Sequence, residues 1–248
     1  MTDSVDFAPK CLSLDLEVGK ADHRIHQFGA VRGDSGKTLS FTKGDLDAAL
    51  NQLDALADDA AFLLGHNLVA FDLPHLKAAR ADLRLHQKPV VDTLRLNPLA
   101  FPRNPYHHLV KHYQDGRLQG GNLNDPLKDA QLALEVFRDQ HKALKALNTS
   151  NPQLLVAWHW LTTQDDSVSG GNSFFINLRR QPRPSLLEAQ AAITQCLENQ
   201  ACLRFKQERS GLATQVNKKT IATAYTIILR SQPMPCREQL RIDFVKRF

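Results

Sequence analysis

Between Cys11 and Val18 the chain reads CLSLDLEV, in which Leu12, Leu14, Leu16 and Val18 take every second place. This alternation predicts a β-strand with those four residues on the core face, because successive side chains leave a strand on opposite sides. Asp15 and Glu17 sit two apart and leave the other face together, about 6–7 Å from each other along the backbone. Adjacent carboxylates repel unless something positive lies between them. The pair reads either as a solvated polar face on an edge strand or as hard oxygen ligands suited to Mg²⁺ or Mn²⁺.

The patterning beyond this strand predicts an antiparallel meander followed by alternating helix and strand. Arg24–Arg32 and Lys37–Thr42 are the next strands, joined through Gly33-Asp34-Ser35-Gly36. Leu46, Ala49, Leu50, Leu53 and Leu56 recur at helical spacing, and Ala61–Gly65 is a compact apolar strand. His66-Asn67 leads into a helix through Phe71, Leu76 and Ala79, and Pro89–Val91 is a further strand ending in Asp92-Thr93. Pro98–Gly121 reads as loop. Asp125-Pro126 opens a long helix to Leu147, since an Asp cap accepts from the orphan amides and Pro at the first position loses no bond. This order predicts an α/β domain over residues 1–148, a mixed sheet flanked by helices.

Asn151-Pro152 repeats the cap after a junction at 147–151, and Ser185-Leu-Leu-Glu188 is a capping box. Residues 149–248 are expected to form a smaller, mainly helical domain; Gly170-Gly171 is expected to be a turn, and Thr220–Arg230 reads as strand or helix. Charge supports the division, with a net of −1 over residues 1–148 and +6 over 149–248 within the overall +5. A basic second part suits a polyanion, although a solvated basic surface has the same composition. Trp158, Trp160, Phe174, Phe175 and Phe205 interleave with the basic residues, reading either as core or as stacking platforms for bases. Arg179, Arg180, Lys218 and Lys219 are the candidate phosphate contacts.

The 248 residues, 42% of them hydrophobic, exclude wholesale disorder. No apolar run approaches the ~20 residues of a membrane span, and MTDSVDFAPK lacks a signal-peptide apolar core. Cys11, Cys196, Cys202 and Cys236 are too scattered for a disulfide scaffold, which makes a reducing, cytoplasmic setting the expectation. They also lack zinc spacing.

Two more acidic residues stand in distinctive contexts. Asp72 lies in GHNLVAFDLPHL, beside apolar residues, and Asp129 lies one turn inside the helix of LNDPLKDAQLALEVF. An acid there either compensates the helix dipole or ligates. In order and context, LDLE, HNLVAFD and NDPLKDA resemble the three exonuclease motifs of the DEDD superfamily, the DnaQ-like 3′→5′ exonucleases with a ribonuclease-H-like fold. The resemblance covers about residues 10–146, and VDTLRL between the second and third motifs is also typical of the group.

The resemblance implies that Asp15, Glu17, Asp72 and Asp129 are the catalytic metal ligands. It implies two Mg²⁺ or Mn²⁺ ions, about 3.5–4 Å apart, in phosphodiester hydrolysis. In the family a His five residues before the last Asp, or a Tyr four before it, assists. Those positions here are Asn124 and Asp125; neutral Asn takes no proton, and Asp125 reads first as an N-cap. His66, His107, His108 and His112 are other nearby histidines, and His66 with Asn67 are candidate substrate contacts.

NPYHHLVKHY, LNDPLKDAQLALEVF and SVSGGNSFF further resemble the N-terminal exonuclease region of large RecQ-like helicase proteins. There a basic linker domain precedes the helicase core, and LRIDFVKRF resembles the segment just before it; the stretch reads either as the front of a longer protein or as a chain ending in a helix. No Gly-x-x-x-x-Gly-Lys-Ser/Thr loop for ATP occurs. The expected activity is metal-dependent 3′→5′ exonuclease action on single-stranded DNA, with a fused or associated helicase as partner and no membrane. A catalytically weak or inactive nucleic-acid-binding module, and a ribonuclease trimming RNA 3′ ends, are the alternatives.

Overall fold

The computed structural model describes residues 9–102, 107, 109, 125–163 and 169–200. Strand β1 (Cys11–Val18) pairs antiparallel with β2 (Ile25–Arg32), and β2 with β3 (Thr38–Phe41), giving the expected meander. Helix α1 (Leu46–Ala57) then leads to β4 (Phe62–Gly65), and α2 (Asp72–Ala79) to β5 (Val90–Asp92). Both later strands run parallel to β1, so the sheet is mixed, with order β3-β2-β1-β4-β5. β1 is thus its centre rather than an edge. The protein is α/β, a five-stranded mixed sheet with helices on both faces.

Alternation along β1 sorts its side chains as read. Leu12, Leu14 and Leu16 join Phe28, Leu50, Leu53, Leu63 and Leu76 in the cluster under α1 and α2. Cys11 faces the other way, with Phe62, Leu64 and Val91. That second face is covered by α3 (Thr93–Ala100), α4 (Pro126–Ser150), α5 (Pro152–Thr162), α6 (Ser169–Arg179) and α7 (Leu186–Gln200). Leu154, Leu155, Trp158, Phe174, Phe175, Leu178 and Cys196 belong to the same buried cluster as the sheet residues. A single core therefore spans position 148.

The caps at Asp125, Asn151 and Ser185–Glu188 are where the sequence placed them, and Asp45 adds one at α1. Asp45 accepts from Ala48 N–H at the start of α1, Asp125 from Lys128 N–H at α4 and Asn151 from Leu154 N–H at α5, each at 3.2 Å. Ser185 and Glu188 form the reciprocal capping box of α7. Two local expectations change. Pro98 lies inside α3, a helix capped by Asp92 and held by the burial of Leu96 and Leu99. Gly170 and Gly171 lie within α6 rather than in a turn. A Cβ on Gly170 would stand 2.4 Å from the Val90 carbonyl oxygen, so glycine there serves close packing of helix on strand. Among the described residues no helix is long and apolar enough to cross a membrane.

Candidate functional site

Asp15 and Glu17 leave β1 on the face that meets α4, and the fold brings that helix unusually near. Ser13 Oγ donates to the Ala130 carbonyl at 2.8 Å, pinning the first turns of α4 to the strand. Opposite Asp15 in the β1–β2 pairing stands Gly29, where an added Cβ would lie 2.2 Å from the Leu127 nitrogen. The missing side chain lets the start of α4 rest directly on the sheet. Asp129, one turn in, then reaches the acidic pair: carboxylate oxygens of Asp15, Glu17 and Asp129 all lie within 4.8 Å of one another.

Asp72 enters from β4 through the loop at 66–71. It is buried, and its Oδ1 accepts from Leu16 N–H at 2.9 Å, at the residue between Asp15 and Glu17. It stands beside the trio of Asp15, Glu17 and Asp129 rather than within it. All of this lies where β1 and β4, parallel to each other, approach their C-terminal ends, the usual ligand-binding edge of such sheets.

Crowding like charges has an electrostatic consequence. Burial, then the charges of Asp72, Asp129 and Glu17, push the Asp15 carboxyl up to about 9. Burial raises Asp72 to about 7 despite the Leu16 hydrogen bond. Asp129 is also raised, by burial and then by Asp125. Such a set holds together as carboxylates only with added positive charge. The donors are all carboxylate oxygens, with no Cys or His in the group, which fits a hard divalent cation such as Mg²⁺ or Mn²⁺.

Asp92 is the residue whose role the sequence did not reveal. It is buried at the end of β5, in register with Gly65. Its Oδ1 accepts from Asn67 N–H at 2.9 Å and Leu94 N–H at 3.0 Å, and its Oδ2 from Val69 N–H at 3.1 Å. Next to it Thr93 Oγ1 donates to the Gly65 carbonyl at 3.1 Å and meets His66 Nδ1 at 2.9 Å. Because the hydroxyl proton goes to Gly65, His66 is the donor in that contact, the Nδ1–H tautomer. Asn67 adopts the left-handed backbone, φ 69°, which Asn tolerates better than most residues. The sequence signals for this scaffold are slight: an Asp before Thr at a strand end, and a Gly inside strand β2.

The other candidates are placed as follows. Asp125 caps α4, pairs with Lys128 at 3.1 Å, and its carboxyl is held below the usual range by the Lys128 backbone and side chain. Arg179, at the end of α6, donates to His159 Nδ1 at 2.8 Å, to the Pro182 carbonyl at 3.0 Å and to Gln181 at 3.1 Å. Arg180 follows it, exposed. Trp158, Phe174 and Phe175 are fully buried, so of the two readings of these aromatics the core one holds. Asn124, Lys218 and Lys219 lie outside the described residues. Comparison with family models, curated proteins and solved structures gives no match.

Proposed function

We propose that the chain is a divalent-metal-dependent 3′→5′ exonuclease of the DEDD, DnaQ-like type on a ribonuclease-H-like sheet. It hydrolyses phosphodiester bonds of single-stranded DNA, as the nuclease part of a larger helicase-type protein. The observation that carries this reading is the convergence of Asp15, Glu17 and Asp129 within 4.8 Å, from segments separated by over a hundred residues. Asp72, held against β1 by Leu16 N–H, completes the acidic set. When bound, a pair of Mg²⁺ or Mn²⁺ ions would supply Lewis-acid stabilisation of the attacking and leaving oxygens.

The protein's own part is to hold those four carboxylates ready and to present the strand end to them. Burial of Asp15, together with the repulsion among the four, holds its carboxyl well above the usual range and makes the site an attractor for cations. Basic residues of 149–248 would guide the polyanion toward the acidic end.

A specific observation favours the second reading, a nucleic-acid-binding module of low activity. Asp125, the acid nearest the family's base position, is committed to Lys128 and to its capping role. The deciding experiment incubates 5′-labelled single-stranded DNA and RNA oligonucleotides with the protein in Mn²⁺ or Mg²⁺, with Asp15→Ala as control. A ladder of 3′-shortened DNA, lost in the variant, is expected. Binding without shortening at high protein concentration selects the second reading, and shortening of RNA alone selects a ribonuclease.

A further inference from the structure

The Asp72 carboxylate owes its place to a short run of backbone between β4 and α2, and that run is internally tied. Phe71 N–H donates to the Asn67 carbonyl at 3.0 Å, and Leu73 N–H to the Leu68 carbonyl at 3.0 Å. Residues 67–73 are therefore one unit, whose position depends on what grips it from outside. Asp92 supplies that grip, binding the Asn67 and Val69 amides through both of its oxygens. An N-cap for α3 requires a single acceptor for Leu94 N–H, and an exposed Ser or Asn would serve. Asp92 is instead 3% exposed and serves two further amides across the strand ends.

We propose that Asp92 is a positioning residue that sets the Asp72 carboxylate against β1 by clamping the Asn67–Val69 turn. The inference rests on the reading of Asp72 as a metal ligand. The chain of contacts runs from Asp92 to the amides of 67 and 69, through the tied turn to Asp72, and on to Leu16 N–H. An asparagine at 92 keeps the shape but has one acceptor oxygen, so whichever way it faces at least one amide loses its partner.

Amide hydrogen exchange of the metal-free chain tests this without reference to activity. In the wild-type protein the Leu16, Asn67 and Val69 amides are expected to exchange through one shared opening, with a common denaturant dependence. In Asp92→Asn, Leu16 protection is expected to fall about tenfold or more, and Mn²⁺ affinity to fall about 10–100-fold, as for other partners that orient metal ligands. Asp54→Asn is the control. Asp54 is another buried carboxylate, accepting from Leu85 N–H at 2.8 Å and Arg84 at 3.0 Å. Its loss lowers the Tm but leaves Leu16 and Mn²⁺ binding unchanged.

Unchanged Leu16 protection in Asp92→Asn, or a wild-type Leu16 amide that opens independently of Asn67 and Val69, overturns the proposal. The wild-type measurement decides even if the variant does not fold. If the wild-type chain neither binds Mn²⁺ nor shortens DNA, the nuclease reading fails, while the Leu16 amide still judges the clamp.

Discussion

His159 and Asp15 are both titratable groups drawn away from water, one in the helical layer and one in the sheet, and their surroundings are opposite in kind. His159 receives a hydrogen bond from Arg179 on Nδ1 and meets Asn172 Oδ1 through Nε2 at 2.9 Å, while its ring stacks on Phe175. With Nδ1 accepting, Nε2 carries the proton and the ring is neutral; burial, aided by the Arg179 and Arg183 charges, pushes its pKa down to about 4. Asp15 faces three other acids instead, and burial followed by their charges pushes it up to about 9. One region balances its polar groups within the chain; the other leaves a charge deficit for something else to fill. Loss of a side chain should therefore weaken the fold in the first region, and relieve it while abolishing function in the second.

The largest effect expected is at Asp15. A carboxyl with a raised pKa keeps, in the folded state, a proton that the unfolded state has already lost. Between about pH 4 and 9 unfolding therefore releases protons, and the stability of the metal-free chain falls as pH rises through the window set by Asp15 and Asp72. Thermal unfolding at pH 5 and pH 8.5 should show this decline, and millimolar Mn²⁺ should reverse it by binding the ionised form. Asp15→Asn should reduce the pH dependence to the part set by Asp72 and lower exonuclease activity by more than about 100-fold, beyond the loss seen when an outer partner of a metal ligand is removed. A variant less stable than wild type at pH 8.5 without metal would break the comparison.

Gly29→Ala tests whether the acidic end depends on close packing. The added methyl would meet Leu127 N, Leu127 Cα and Pro126 C at 2.2–2.4 Å, all backbone atoms, so the start of α4 must move. Overpacking of this kind costs about 1–3 kcal/mol. Displacement of α4 carries Asp129 away from Asp15, so Mn²⁺ affinity measured by calorimetry should fall along with the Tm. Unchanged affinity would show that the trio tolerates a shift of the helix.

Legibility in the sequence followed the range of the physics involved. Alternation in CLSLDLEV, the Asp-Pro and Asn-Pro caps and the Ser185–Glu188 box are local, and strands and helices stand where these placed them. The convergence of Asp15, Glu17 and Asp129 is not local, and it was anticipated through resemblance of motif order rather than through spacing. Helix α3 escaped because Pro98 reads as a breaker, while its compensation lies in burial against α4. Gly170 reads as a turn because its reason, the Val90 backbone, is eighty residues away in the chain. Arg179 illustrates the same gap: a basic residue in a basic stretch looks available for phosphate, yet its partners are His159 and Gln181.

Arg179→Ala therefore probes the balanced region. It leaves a buried imidazole acceptor without its donor, at a cost of about 1–3 kcal/mol. For a chain of this size that lowers the Tm by roughly 2–12 °C. Mn²⁺ affinity should not change. If instead the Tm holds while DNA affinity falls and its salt dependence becomes shallower, Arg179 is a phosphate contact and the contrast between the two regions weakens.

The smallest effect separates two roles of one carboxylate at the boundary of the acidic end. Asp125→Ala removes the N-cap of α4, which is worth about 1 kcal/mol, whereas Asp125→Asn retains an equally good cap and removes only the charge. As a cap alone, Asp125 predicts a Tm lowered by roughly 2–4 °C in the alanine variant and nearly unchanged in the asparagine variant, with exonuclease rates within a few fold of wild type in both. Loss of its charge also removes one of the two causes that raise the Asp129 carboxyl, with Mn²⁺ affinity expected to stay within a few fold of wild type. A base would behave otherwise: Asp125→Asn would keep the Tm and yet lose rate, with the acidic limb of its pH profile gone. The hydrogen bond from Lys128 N–H and the Lys128 ion pair already hold this carboxylate in its ionised, capped state, and that occupation favours the first outcome.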